Sequence, residues 1–342
     1  MFCKKCGFNI PEGEYVCPYC NTKAKDPYRD SNDKVTNQEE MQHSKDYDPV
    51  DEYGMGIFRN KLGYIDLKTR PLHHVLIAIL GYLAMNILFI IIGRMAVRFS
   101  GLDLSCMEAD ICSVEVKHEY NLIVSITQVV CELLVVVAAI IMFRKYFKVL
   151  LPEAKEKYTW KWFGICLAIM YGGVFIYSNF IQLLGLESTS SNQDGVNEII
   201  FNTPFLGFLF VVIAAPIFEE VIFRFGIFRA FTFKDKKFEI LGVVITTLIF
   251  AGVHMIATFE EVFKEANNPN WGVFKSDMLT LPVYLIGAFA LTFAYYKSKN
   301  IVSNIALHMF YNGLSFITIL FLSPMLEGTT DTIINFMTRL LF

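Results

Sequence analysis

Charge and histidine are scarce in this sequence. Asp, Glu, Lys and Arg make up 18% of it, and only six histidines and three tryptophans are spread over 342 residues. Acids and bases nearly cancel, at a net charge of −3, so bulk charge points to no nucleic-acid or membrane-surface partner. The first residues, MFCKKCG, lack the apolar stretch and the small-residue cleavage site of a signal peptide. No internal repeat is visible. The deficit of charge is matched by an excess of apolar residues: 54% of the chain, with 32 Phe and a mean hydropathy of +0.44. Soluble domains use about 45–50% apolar residues, so an ordinary soluble fold is excluded.

The apolar residues are unevenly placed. Residues 1–70 are polar and carry both signs of charge; from Val75 onward apolar runs alternate with short charged loops. A spanning helix needs about 20 apolar residues. Seven runs qualify: 75–93, 122–143, 161–184, 205–223, 239–256, 279–296 and 301–322. The sequence therefore predicts an all-α multi-pass membrane protein of about seven transmembrane helices. Basic residues concentrate before the first span (Arg59, Lys61, Lys68, Arg70), between the second and third (Arg144 to Lys161), after the fourth (Lys234, Lys236, Lys237) and after the sixth (Lys297, Lys299). The alternate loops are mainly acidic, against exceptions at Arg94, Arg98, Lys117, Lys264 and Lys275. By the positive-inside bias this places the N-terminus in the cytoplasm and the chain in the cell membrane. The tail IINFMTRLLF is too short to span and reads as interfacial.

Three units are expected. Residues 1–23 hold Cys3, Cys6, Cys17 and Cys20 as two CxxC pairs with a ten-residue spacer. Four thiolates at this spacing complete a tetrahedral zinc site with no open position, so the metal is expected to be structural. The segment resembles the small zinc ribbons at the termini of many bacterial proteins, which implies a docking role toward a cytoplasmic protein. Residues 24–54 are poor in aliphatics and read as a flexible linker, with His43 solvated. Residues 55–342 form the membrane domain. Residues 55–72 are expected to lie at the interface before the first span, with His73 and His74 at its headgroup boundary. Cys106 and Cys112, in the first outer loop, are placed either to form a disulfide on that oxidising face or to stay free. Cys131 and Cys166 fall within spans as small apolar packing residues.

The few ionisable groups deep in the later spans carry the functional signal. The fourth span contains PIFEEVIFR, with Glu219, Glu220 and Arg224; the fifth ends in FAGVH, with His254; the seventh contains HMFYN, with His308 and Asn312. A charge at a helix centre costs roughly 2.5–3.5 kcal/mol on insertion scales. Glu220 and Arg224, four apart, share a helix face and can pair. Glu219 is rotated about 100° from Glu220 and points elsewhere. Pro216, one turn earlier, removes a backbone donor and kinks the helix. The plainer account is that these groups merely hold helices together, but interhelical polar contacts in membranes average only about 0.6 kcal/mol. Three charges and two histidines exceed that need. A carboxylate that takes a proton from water, and imidazoles that orient water or donate to an oxyanion, are equipment for hydrolysis. The same set also suits a divalent metal or a proton relay. Other intramembrane protease signatures are missing. There is no GxSG or GxGD, and no HExxH: His118-Glu119 is followed by YNL and lies outside the predicted spans.

The order EExxxR, FxxxH and HxxxN on successive membrane helices resembles the CPBP family, which groups type II CAAX prenyl endopeptidases with bacteriocin-processing and self-immunity homologues. The resemblance covers about residues 160–322. It implies that Glu219, with His254, activates the attacking water. It implies that His308 and Asn312 form the oxyanion hole, with Glu220 and Arg224 in support. It leaves a catalytic zinc open, because two histidines and a carboxylate are also a zinc ligand set; metal-independent general-base catalysis is the expectation. The substrate would be a membrane-associated peptide or protein, CAAX-like or bacteriocin-like. The competing readings are a non-catalytic immunity or scaffold protein of the same fold, and a proton-coupled transporter, against which the missing inverted repeat counts. One geometric tension follows from rise per residue: His254 should lie roughly 10 Å nearer the outer face than Glu219 and His308.

Overall fold

The computed structural model describes residues 58–60, 62–66, 71–102, 112–233, 235–264 and 268–322. The cysteines of the N-terminal ribbon, the linker, Cys106 and the segment IINFMTRLLF lie outside the described residues. The architecture is helical, and seven of its segments are long and apolar enough to cross a membrane. Helices α1 (Pro71–Ser100), α2 (Val114–Glu153) and α3 (Lys157–Leu183) form the first three spans. A short helix α4 (Ser191–Asn202) precedes the fourth span, α5, which runs over Pro204–Phe231. Helices α6 (Lys236–Val253) and α7 (Ile256–Val262) make up the fifth span; α8 (Trp271–Met278) and α9 (Leu281–Ser298) make up the sixth. The seventh is α10 (Ile301–Ile317), continued by a π turn over Thr318–Leu322.

All seven predicted spans are present. The helices run past the apolar runs where charged residues join their ends, α2 as far as Glu153. Local chemistry sets the starts. Ser113, Ser190, Asp235, Asn270 and Asn300 each accept a backbone N–H of the first turn that follows, filling donors that helix ends leave open. Lys299 adopts a left-handed conformation, φ 58°, at the end of α9. Asn300 then caps α10 at once, so the chain reverses between the sixth and seventh spans in two residues.

The fourth span is the axis of the packing. Helix α1 lies close along it: a Cβ on Gly226 would sit 2.7 Å from that of Ala78. Val136 of α2, Phe218, Ile222 and Phe223 of α5, and Phe250 of α6 form one buried cluster. Phe99, Ile176 and Leu183 are exposed on the outer surface of the bundle, which suits side chains that face lipid.

The approach to the first span is anchored on the protein, and one expectation for it is corrected. Within the segment expected at the interface, an antiparallel pair, β1 (Phe58–Arg59) and β2 (Ile65–Asp66), sits on the protein. Tyr64 is fully buried and donates to Glu239 Oε1 at 2.8 Å; Arg229 Nη2 donates to the Ile65 carbonyl at 3.2 Å, and Asn60 Nδ2 to that of Thr232 at 3.1 Å. Likewise His74 does not face headgroups. It is fully buried, with Nδ1 donating to the Phe225 carbonyl at 2.7 Å. Partners on α5, on the loop after it and on α6 satisfy these polar groups, so they need no water or headgroup.

Candidate active site

The site is built on a break in α5. The span is α-helical over Pro204–Gly207, π-helical over Phe208–Ala214, α-helical again over Ala215–Glu219, and π-helical over Glu220–Ile227. Pro216 lies in the central piece and brings no backbone donor. π segments occur mainly where function requires an irregular helix. Here the junction between the central piece and the second π segment falls between Glu219 and Glu220.

Glu220 is the hub of a buried network. It is fully buried, as is Arg224, and their side chains pair at 2.9 Å. The second Glu220 oxygen accepts from Asn304 Nδ2 at 2.5 Å, and the first lies 3.0 Å from His308 Nδ1. Arg224 is held further by the face of Phe250, 4.4 Å from the ring centroid, and donates weakly to the Ala288 carbonyl at 3.4 Å. The burial of this carboxylate is offset by a guanidinium and two hydrogen-bond donors.

His308 stands between the two glutamates. Its Nδ1 donates to Glu220, so Nε2 is directed toward Glu219, 3.6 Å from Oε2. Glu219 is the more open of the two carboxylates, with its side chain 21% exposed. His254 immediately follows α6, where the fifth span breaks before α7; its Nδ1 donates to the Phe250 carbonyl at 2.9 Å. A carbonyl only accepts, so Nδ1 holds the proton and the Nε2 of neutral His254 carries a lone pair. The axial offset expected for His254 does not isolate it. The Phe250 ring packs against both imidazoles, with centroids 4.6 Å from His254 and 6.2 Å from His308. Asn312 donates one amide hydrogen to the Val211 carbonyl in the first π segment, at 2.9 Å, which leaves its second N–H.

The structure thus brings Glu219, Glu220, Arg224 and His308 into one cluster, joins His254 to it through Phe250, and sets Asn312 one turn along α10 on the face of His308. Two participants went unread in the sequence. Asn304 precedes His308 by four residues and Asn312 by eight, so a polar stripe of period four was available as a signal. Phe250 was noted only as the spacer residue of FxxxH, although it touches His254, His308 and Arg224. Among the described residues no group of three or more His, Cys, Asp or Glu is placed to hold a metal ion.

A protein of Lactococcus lactis subsp. lactis (strain IL1403), UPF0177 protein YvdC, is 24% identical over 201 residues, covering 57% of this chain and 66% of that relative, just under two thirds of its length. No solved structure matches the chain. Residues 201–314, about a third of the chain, match the family described as type II CAAX prenyl endopeptidase Rce1-like. That segment contains all three motifs, from Glu219 to Asn312, and it is this part of the multi-pass membrane protein that is similar to a protease family.

Proposed function

We propose that this protein is an intramembrane endopeptidase that hydrolyses a peptide bond of a membrane-associated substrate, CAAX-like or a processed bacteriocin-type peptide. Glu219 accepts a proton from water, and the resulting hydroxide attacks the substrate carbonyl. The Nε2 lone pair of His254 accepts a hydrogen bond from the same water. The oxyanion is met by Nε2–H of His308, whose ring Glu220 fixes through Nδ1. The second amide hydrogen of Asn312 is the other donor. Glu219 then delivers its proton to the leaving amine.

The observation that supports this reading best is the position of His308, whose ring nitrogens face two different carboxylates. Pure helix-to-helix glue would need only the Glu220 contact. The test is incubation of the purified protein in detergent with membrane peptides, prenylated and unmodified, followed by mass analysis of fragments. Wild type is expected to cleave and Glu219→Gln to leave the peptide intact. Equal cleavage by both, or none by either across the peptide set, overturns the reading. We further propose the orientation with the N-terminus in the cytoplasm, at the cell membrane, and a structural zinc ribbon there that docks a protein partner. The charge of the loops supports the orientation, and the cysteine spacing supports the zinc.

A further inference from the structure

His254 follows α6 directly, where the fifth span breaks before α7. Its one hydrogen bond among the described residues runs from Nδ1 to the Phe250 carbonyl at 2.9 Å. A single hydrogen bond fixes a point of the ring, not the plane in which Nε2 lies. Packing supplies the rest. The Phe250 ring lies 4.6 Å from the imidazole, centroid to centroid, at an interplanar angle of 31°. A second ring, Tyr284 of α9, lies 4.9 Å away at 35°. Both separations fall within the range of packed aromatic pairs. Tyr284 belongs to none of the three motifs.

Tyr284 is itself held from another part of the chain. Its hydroxyl lies 2.7 Å from Ser190 Oγ and accepts from Asn192 Nδ2 at 3.3 Å. Ser190 caps α4, accepting the Gln193 N–H at 3.2 Å. The residues on either side of Ser190 are tied to the carboxylate of Asp277 on α8. Thr189 Oγ1 donates to it at 2.5 Å, Ser191 N at 3.0 Å and Ser191 Oγ at 2.6 Å. Thr258 of α7, four residues after His254, donates there too, at 2.9 Å. Asp277 is 1% exposed, and four donors satisfy its buried oxygens. Residues 189–191 are thus pinned to the sixth span, and they in turn fix the phenol. A side chain present for volume alone would be served by Leu or Phe. The Tyr284 hydroxyl instead has partners 94 and 92 residues away in sequence, and these locate its ring.

We propose that Tyr284 is a positioning residue for His254: its ring, located by the hydroxyl contacts with Ser190 and Asn192, holds the imidazole so that Nε2 is presented to the attacking water. The inference rests on the reading of Glu219 and His254 as the groups that act on that water. Tyr284 exchanges no proton and touches no reacting atom. It keeps the His254 ring against the Phe250 carbonyl, and so in the single tautomer that carries its proton on Nδ1. A ring free to swing from that carbonyl would populate both tautomers and lose the aim of Nε2. Misplacing a catalytic group by about 1 Å can cost on the order of 10²-fold in rate.

Two measurements on the full-length protein in detergent test this. The first is nitrogen NMR of isotope-labelled histidine rings at about pH 8.5, above the ordinary imidazole range. The His254 signals are those lost in His254→Ala. Wild type and Tyr284→Phe are expected to show one tautomer, protonated on Nδ1, and Tyr284→Leu and Tyr284→Met a mixture of two. The second is peptide cleavage. Tyr284→Leu and Tyr284→Met, which fill the position without a ring, are each expected to lower kcat about 10- to 100-fold with KM nearly unchanged. Tyr284→Phe keeps the ring and is expected to recover kcat to within about threefold of wild type. A single Nδ1–H tautomer in both Tyr284→Leu and Tyr284→Met overturns the proposal. So does a loss that falls on KM rather than kcat, or a Tyr284→Phe variant as slow as Tyr284→Leu. If the tautomers respond as expected but wild type cleaves no peptide, the positioning of His254 stands and the peptidase reading falls.

Discussion

Nδ1 of His308 lies 3.0 Å from Oε1 of Glu220, a contact between the fourth and seventh spans across 88 residues of sequence. It changes the division of labour between the adjacent glutamates. Glu220 neutralises Arg224, as the i,i+4 spacing suggests, and it also fixes the ring whose other nitrogen faces Glu219. The two acids therefore differ in kind: one is locked among three partners, and the other is the more open.

Substitutions should separate them. Glu219→Gln keeps shape and hydrogen bonding but removes the base, and is expected to lower cleavage by about 10²–10⁴-fold with the melting temperature nearly unchanged. Glu220→Gln leaves Arg224 without its buried counter-charge, a loss of about 3–5 kcal/mol, and frees the His308 ring as well. It should reduce stability and activity together. Both quantities are to be measured in one detergent. Substantial activity in Glu219→Gln, or a larger loss of stability there than in Glu220→Gln, contradicts this assignment.

Asn304 supplies the second donor to Glu220. Asn304→Ala removes a hydrogen bond to a buried charge, worth about 1.5–3 kcal/mol. It should also depress kcat more than KM, because the hydroxide and oxyanion positions depend on where Glu220 holds His308. Asn304→Asp sets a carboxylate against Glu220 and is expected to be the more damaging of the two. Thermal melts of both variants decide the order; an alanine variant less stable than the aspartate would show that Asn304 does not serve the Glu220 charge.

The spans and the motif residues were legible because both signals are local. Apolar runs of about 20 residues fix spanning helices, and rare charges within them stand out by their cost. What was not legible is contact between segments distant in sequence. The docking of Tyr64 on Glu239 joins residues 175 apart in sequence, and no hydropathy pattern encodes it. The π segments of α5 were equally hidden. Pro216 signalled a kink, but the choice between a kink and a π turn depends on partners such as Asn312, which takes up the Val211 carbonyl.

The paired cysteines predict one zinc ion per chain, held by Cys3, Cys6, Cys17 and Cys20. Metal analysis of the purified protein should give a stoichiometry near one, falling toward zero in Cys17→Ser. Because the linker is polar and the motifs lie beyond residue 200, a chain beginning near Tyr53 should insert and retain peptidase activity. A stoichiometry that Cys17→Ser leaves unchanged rules out the ribbon as the zinc site, and a loss of activity on truncation with normal insertion makes the ribbon part of the active unit.

Truncation a few residues further should behave differently, because the β1–β2 pair is part of the packed protein. Tyr64 is fully buried, bonds Glu239, and lies under two cations: Arg229 at 4.5 Å and Lys299 at 4.0 Å from its ring. Tyr64→Ala empties that position and should cost about 3–5 kcal/mol, the range for large aromatic truncations. A chain beginning at Pro71 should melt lower than one beginning near Tyr53. The same cluster gives a pH dependence. Lys299 ion-pairs with Glu239, yet burial, outweighing that attraction, pushes its ammonium down to about 8. The unfolded chain holds that proton up to about pH 10.4. Between these values the unfolded state binds more protons than the folded one, so the Lys299 contribution to stability rises with pH across that window and is constant below it. Lys299→Arg stays charged throughout and removes the effect. The melting temperature of wild type minus that of Lys299→Arg should therefore increase from about pH 7.5 to 9.5. A difference that is flat or falls over this range would mean that Lys299 is not held in the folded protein as its contacts with Tyr64 and Glu239 require.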